Sequence, residues 1–81
     1  MKTIQQDTLG TLVATGAVRE FRVLRHEPQA GKSEGWMMQA RIGSSWLNVR
    51  SRREPIRVWA SLTAVGRFAQ SQGIPQITIE L

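Results

Sequence analysis

The chain has 81 residues, a length that fits one domain with a single core and leaves no room for a second. Eleven Lys and Arg against six Asp and Glu give a formal net charge of +5, and 41% of the residues are hydrophobic. This balance is typical of a globular protein, and the lack of cysteine excludes disulfide frameworks, thiolate nucleophiles and the usual structural zinc sites. We expect one folded domain over residues 1–81, with no cofactor and no metal.

Apolar patterning and chain length bear on where the protein is located and whether it self-associates. Residues 1–7 lack the apolar run of a signal peptide, and no stretch approaches the roughly 18 apolar residues of a membrane span. The sequence therefore predicts a cytoplasmic protein without membrane contact. A chain this short buries only about 60–65% of the surface its unfolded form exposes, so a homodimer would be an easy way to gain burial.

Arginine dominates the basic residues, since nine of the eleven are Arg and the other two are Lys. The planar guanidinium fork matches phosphate and guanine edges with two hydrogen bonds, which lysine cannot do. This bias favours a nucleic-acid ligand. A solvated basic surface, or arginine use in a GC-rich genome, is the alternative.

The first predicted element is a helix over residues 4–15, which Thr3 or Asp7 can cap and Gly16 can end. Its apolar side chains recur at the spacing of one helix face. They are Leu9, Leu12 and Val13, with Ile4 at the start.

A strand is predicted next, over residues 18–25, because Phe21 and Val23 alternate with polar neighbours. The segment at about 27–35 is polar and rich in Gly and Pro, which predicts a long flexible loop.

A hairpin is predicted over residues 36–50. Two alternating runs, 36–42 and 45–50, flank the tight turn Gly43-Ser44. A third short run, 56–59, enters the sheet after Pro55, at a position where proline is tolerated.

The C-terminal part predicts a helix and a last strand. Ser61 is suited to cap the helix, Gly73 to end it in the left-handed conformation, and Pro75 to prevent its continuation. Residues 76–81 alternate as a strand. The apolar stripe of the helix is formed by Leu62, Val65, Phe68 and Ala69.

The predicted fold class is α+β: helix, three to four antiparallel strands, helix, C-terminal strand, with both helices packed on one face of the sheet. Trp36 and Trp59 are assigned to the core. The opposite face is then open, and we call it the open face. It is predicted to carry Arg22, Leu24, Met37, Gln39, Arg41, Trp46, Asn48 and Arg50.

This face suits nucleic acid, because Arg neutralises phosphates, Arg and Asn bond purine edges, and an exposed indole stacks on a base. The turn that follows it adds a dense group of guanidinium side chains, suited to clamp phosphate. Tryptophan, methionine and arginine are also enriched in protein interfaces, and a solvated sheet face is common, so both alternatives stay open. The candidate nucleic-acid-binding residues are Arg41, Trp46, Asn48, Arg50, Arg52, Arg53 and Arg57.

Catalysis has little support in the sequence. His26 has Glu27 beside it but no nucleophile in its sequence context, and Ser44-Ser45 lies in a turn without a nucleophile-elbow pattern. No Gly-rich phosphate loop is present. We expect no enzymatic activity.

Three segments carry a resemblance to a known family: 8–19, from Thr-Leu-Gly-Thr-Leu-Val to Gly-Ala-Val-Arg; 35–43, Gly-Trp-Met-Met-Gln-Ala-Arg-Ile-Gly; and 55–64, Pro-Ile-Arg-Val-Trp-Ala-Ser-Leu-Thr-Ala. With Gly73-Ile74, they resemble in order and spacing the small plasmid partition-associated proteins called ParC, which are unrelated to the topoisomerase subunit of that name. The resemblance covers most of the chain and implies a plasmid or integrative element as the genetic setting.

Three strands followed by an aromatic residue, a Ser cap and a Leu-x-x-Val helix also resemble the three-stranded DNA-reading domains of phage-type integrases. Those domains lay their sheet in the major groove. Our hypothesis is a DNA-binding accessory or regulatory protein of a mobile element. The alternative is an adaptor or small inhibitor that binds a partition or conjugation protein.

Overall fold

The computed structural model of the chain describes residues 3–26 and 35–81. The predicted loop therefore lies outside the described residues, apart from Gly35, which begins a strand. The elements in chain order are β1 (Thr3–Gln5), a 3-10 turn (Gln6–Thr8), α1 (Leu9–Ala14), β2 (Glu20–His26), β3 (Gly35–Ile42), β4 (Ser45–Arg50), β5 (Val58–Trp59), α2 (Leu62–Ser71) and β6 (Thr78–Glu80).

The six strands form one mixed sheet in the order β1-β4-β3-β2-β6. The central strands β2, β3 and β4 are antiparallel neighbours, whereas β1 runs parallel to β4 and β6 runs parallel to β2. The two residues of β5 pair with the start of β3, a part of β3 with which β4 does not pair. The α+β class is confirmed, and the sheet is mixed because the outer strands β1 and β6 each run parallel to the strand beside them.

The predicted first helix over residues 4–15 was wrong in its first half. Residues 3–5 form β1, a 3-10 turn follows, and α-helix covers only Leu9–Ala14. Ile4, assigned to the helix face, is buried in the sheet opposite Val49. The predicted caps Thr3 and Asp7 do not serve, because α1 begins after Thr8, whose hydroxyl donates instead to the Gln5 carbonyl oxygen.

The second helix follows its sequence signals closely. The Ser61 hydroxyl oxygen accepts a hydrogen bond from the Ala64 backbone N–H at 3.1 Å, which satisfies one of the free donors of the first turn. The chain leaves α2 through Gly73 at φ +75°, and the Ile74 N–H then bonds the Ala69 carbonyl oxygen. Within the described ranges, neither helix has the length and apolar content needed to cross a bilayer.

One core lies between the helices and one face of the sheet. The fully buried side chains Leu9, Val23, Met38, Val49 and Val65 come from α1, three strands and α2. Trp59 is buried in this core, as predicted, and its ring meets that of Phe68 with centroids 5.1 Å apart. Trp36 is half-buried and packs against the same cluster. The helices therefore cover one face of the sheet and leave the other to the site described below.

Candidate functional site

The register of the central strands places all eight residues predicted for the open face on one surface. Residues directly opposite one another on neighbouring strands share a face, so each set of partners forms a row across the sheet. Three such rows cross β2 and β3, and each has a different chemistry. In sequence order along β2, the rows are charged, polar and apolar.

The middle, polar row is a hydrogen-bonded chain across three strands. Arg22, Gln39 and Asn48 are direct cross-strand neighbours. The Arg22 Nε donates to Gln39 Oε1 at 2.6 Å, and Gln39 Nε2 donates to Asn48 Oδ1 at 2.8 Å. Asn48 is only 6% exposed, so its amide is held inside this row. The row therefore fixes the middle of the face in one arrangement.

Trp46 lies beside this row and is stacked by its arginine. The Arg22 guanidinium carbon lies 4.2 Å from the centre of the Trp46 ring, a distance at which the cation is attracted by the ring face. The indole is half-buried. Its position is therefore set by Arg22, which is itself held by Gln39.

Acidic side chains neutralise the two arginines of the sheet centre. Arg41 lies opposite Glu20, with Nη1 and Oε2 3.3 Å apart, and Arg22 Nη1 lies 3.8 Å from Glu80 Oε1. Solvent reaches at least one partner of each pair, so both pairs are of modest strength. They nevertheless remove most of the net positive charge from the central part of the face.

The turn after β4 is the most basic part of the candidate site. The Ser51 hydroxyl oxygen accepts from the Glu54 N–H at 3.0 Å, which closes the turn, and Arg50 Nε donates to the Ser51 carbonyl oxygen at 3.2 Å. Arg52 is 85% exposed and pairs with Asp7 at 3.3 Å. Across the described ranges 3–26 and 35–81, neither Arg50 nor Arg53 has a carboxylate within 4.0 Å. These two cations remain available to a ligand.

Arg57 does not belong to this group. Its guanidinium carbon lies 4.7 Å from the Trp59 ring centre and 5.2 Å from that of Phe68, which places it against the aromatic pair on the helix side of the sheet. Its Nη1 also donates to Gln6 Oε1 at 2.5 Å. The sequence-predicted set is therefore divided: Arg41, Trp46, Asn48 and Arg50 share the open face, Arg52 and Arg53 extend from its end, and Arg57 faces the other way.

The apolar row was missed as a unit by sequence reasoning. Leu24, Met37 and Val58 are cross-strand neighbours on the open face, and Val58 is 41% exposed. Leu24 and Met37 could be assigned to this face from their alternation, whereas Val58 could not, because its pairing with Met37 depends on where β4 leaves the sheet. The open face therefore has a polar and basic part beside a smaller apolar part.

In the described part of the chain, no three His, Asp or Glu side chains are grouped closely enough to hold a metal ion. Comparison with protein families, curated proteins and solved structures found no match for this chain.

Proposed function

We propose that this protein is a non-enzymatic DNA-binding accessory or regulatory protein that contacts the phosphate backbone through the turn Arg50–Arg53. The resemblance to partition-associated proteins suggests a plasmid or integrative element as its setting. The net charge of +5 supports a polyanionic ligand, because association with nucleic acid is driven largely by release of counterions from the phosphates.

The contrast between paired and unpaired arginines is the observation that carries this proposal. Arg22 and Arg41 have carboxylate partners at the sheet centre, whereas Arg50 and Arg53 have none among the described residues. A cation without a carboxylate partner, at the end of β4 or in the turn after it, is suited to a phosphate, since binding does not require an existing ion pair to break.

The remainder of the open face supports backbone contact more than base recognition. Asn48 and Gln39 bond each other, so their amides are occupied and do not face a purine edge. Trp46 keeps part of its ring accessible beside Arg22. The proposal therefore predicts binding with little sequence preference, since phosphate contacts position a protein but do not read sequence.

A titration of labelled duplex DNA at several salt concentrations tests the proposal. Each phosphate contact contributes about 0.9 to the slope of log K against log salt, so Arg53→Ala should reduce that slope by about 1. Arg67→Ala is the matched control, because Arg67 is exposed on α2, on the opposite side of the sheet. No binding of the wild-type protein at low salt would rule out the proposal.

A protein partner is the second candidate, and the apolar row favours it. Leu24, Met37 and Val58 are neighbours across three strands and present an apolar surface on the open face, a composition common at the centre of protein interfaces. Met37→Lys should then abolish binding to a partition or conjugation protein encoded nearby, measured by calorimetry, while DNA affinity stays the same or rises. Equal binding by Met37→Lys and the wild type would remove this candidate.

A further inference from the structure

The outer edge of β6 is unpaired within the described residues, because β6 ends the sheet order and its only neighbour there is β2. An edge strand exposes backbone donors and acceptors that pair readily with another strand, and lysine, proline or a bulge at the edge discourages such pairing. Residues 77–81, Ile-Thr-Ile-Glu-Leu, contain neither lysine nor proline. We propose that this edge pairs with β6 of a second copy of this chain, antiparallel and centred on Ile79.

The side chains of this segment are complementary to themselves in that register. With Ile79 opposite the partner's Ile79, Thr78 lies opposite the partner's Glu80, and Ile77 lies opposite the partner's Leu81. The helix-side positions are then all apolar, while the open-face positions join a hydroxyl to a carboxylate. No like charges are opposed, and Glu80 keeps Arg22 as its partner at 3.8 Å. With the two-fold axis at Ile79, every pair of opposing side chains is therefore compatible in polarity and charge.

Exposure of the apolar positions gives the pairing its driving force. Ile77 packs against the core, but Ile79 is 41% exposed and Leu81 is 98% exposed in the single chain. Both lie on the helix side, which α1 and α2 leave uncovered at this edge. Pairing would remove these side chains from water, and a chain of this size gains considerably from such burial.

The dimer would give the open face a defined span. Antiparallel pairing at an edge has its two-fold axis perpendicular to the sheet, so the open faces of both protomers lie on the same side. From β4 of one protomer to β4 of its partner, the strand order is β4-β3-β2-β6 followed by β6-β2-β3-β4 of the partner, which is eight strands and seven spacings. At about 4.8 Å per spacing, the two Arg50 residues lie roughly 34 Å apart, close to one turn of B-DNA. This consequence rests on the proposed function, whereas the pairing itself does not.

Sedimentation equilibrium of the full chain without DNA tests the pairing. The wild type should be a dimer, and Ile79→Lys should weaken association at least tenfold because two ammonium groups would face each other at the axis. Ile42→Lys is the matched control, since Ile42 is 38% exposed and lies at the far end of β3. A monomeric wild type, or a dimer unaffected by Ile79→Lys, would overturn the proposal.

A charge exchange distinguishes loss of pairing from loss of folding. Ile79→Lys and Ile79→Glu should each be monomeric with an unchanged circular dichroism spectrum, and an equimolar mixture should recover the dimer. Failure of the mixture to associate would contradict the register. In DNA titrations, the wild type should show about twice the salt slope of Ile79→Lys. A wild-type dimer that ignores DNA would reject the proposed function and leave the pairing intact.

Discussion

Gly35 shows how a single position couples two strands. A Cβ built on this residue would lie 2.7 Å from the Trp59 carbonyl oxygen and would also collide with the Val58 side chain, so the approach of β5 to β3 requires glycine. Gly35→Ala should therefore lower the free energy of unfolding by about 1–3 kcal/mol, as overpacking does elsewhere. Urea denaturation followed by circular dichroism measures the change.

The control for this prediction is another glycine, in the interior of α2. Apart from its chain neighbours and the backbone of its own helix, nothing lies within 4 Å of the position that a Cβ of residue 66 would occupy, and the backbone of Gly66 is helical. Gly66→Ala should thus raise the free energy of unfolding by about 0.5–1 kcal/mol, because alanine loses less backbone entropy in a helix. A Gly35→Ala variant that is as stable as the wild type, or more stable, would contradict the packing at Gly35.

Gln39 is the central member of the polar row and gives a second prediction at this scale. Gln39→Leu removes the acceptor of Arg22 and a donor to the buried Asn48, and should cost about 1–3 kcal/mol of unfolding free energy because a buried polar group loses one of its hydrogen bonds. Gln70→Leu, on the exposed side of α2, should change stability by less than about 0.5 kcal/mol. Equal effects in denaturant titrations would argue against the row as a structural unit.

At the scale of elements, the two helices differ in how their starts are stabilised. The Ser61 side chain caps α2, whereas the Thr8 side chain makes no capping bond to α1. Ser61→Ala should lower the free energy of unfolding by about 1 kcal/mol, and Thr8→Ala by less than half of that. Urea midpoints of the two variants measure the difference. A larger loss for Thr8→Ala would mean that α1 has a different N-terminus.

Elements with local signals could be predicted from the sequence, and those fixed by distant partners could not. The hairpin of β3 and β4 was predicted because alternation and the Gly43-Ser44 turn are local. Ile4 has apolar neighbours at helical spacing, so only its pairing with Val49, far along the chain, makes it part of a strand. The direction of β6 depends on the path of α2 across the sheet, which periodicity does not encode.

The same distinction applies to the candidate site. Alternation placed Arg41, Trp46, Asn48 and Arg50 on one face, as the register has them. The ion pairs of Arg22 and Arg41 depend on Glu80 and Glu20, from other strands, and were not foreseen. Arg57 was grouped with the turn because it is close in sequence, but it lies against Phe68. Proximity along the chain is a poor guide where a strand ends and the backbone changes direction.

For the whole molecule, size and assembly are linked through stability. A domain of 81 residues has a small core, and the two β6 edges would add burial if they pair. Unfolding of a dimer into two chains depends on concentration by mass action, so the thermal midpoint should rise by about 3–6 °C for each tenfold increase in protein concentration. Calorimetry at several concentrations measures this shift, and Ile79→Lys should abolish it. A midpoint independent of concentration in the wild type would mean that the folded monomer alone carries the stability, and that the edge of β6 stays in solvent.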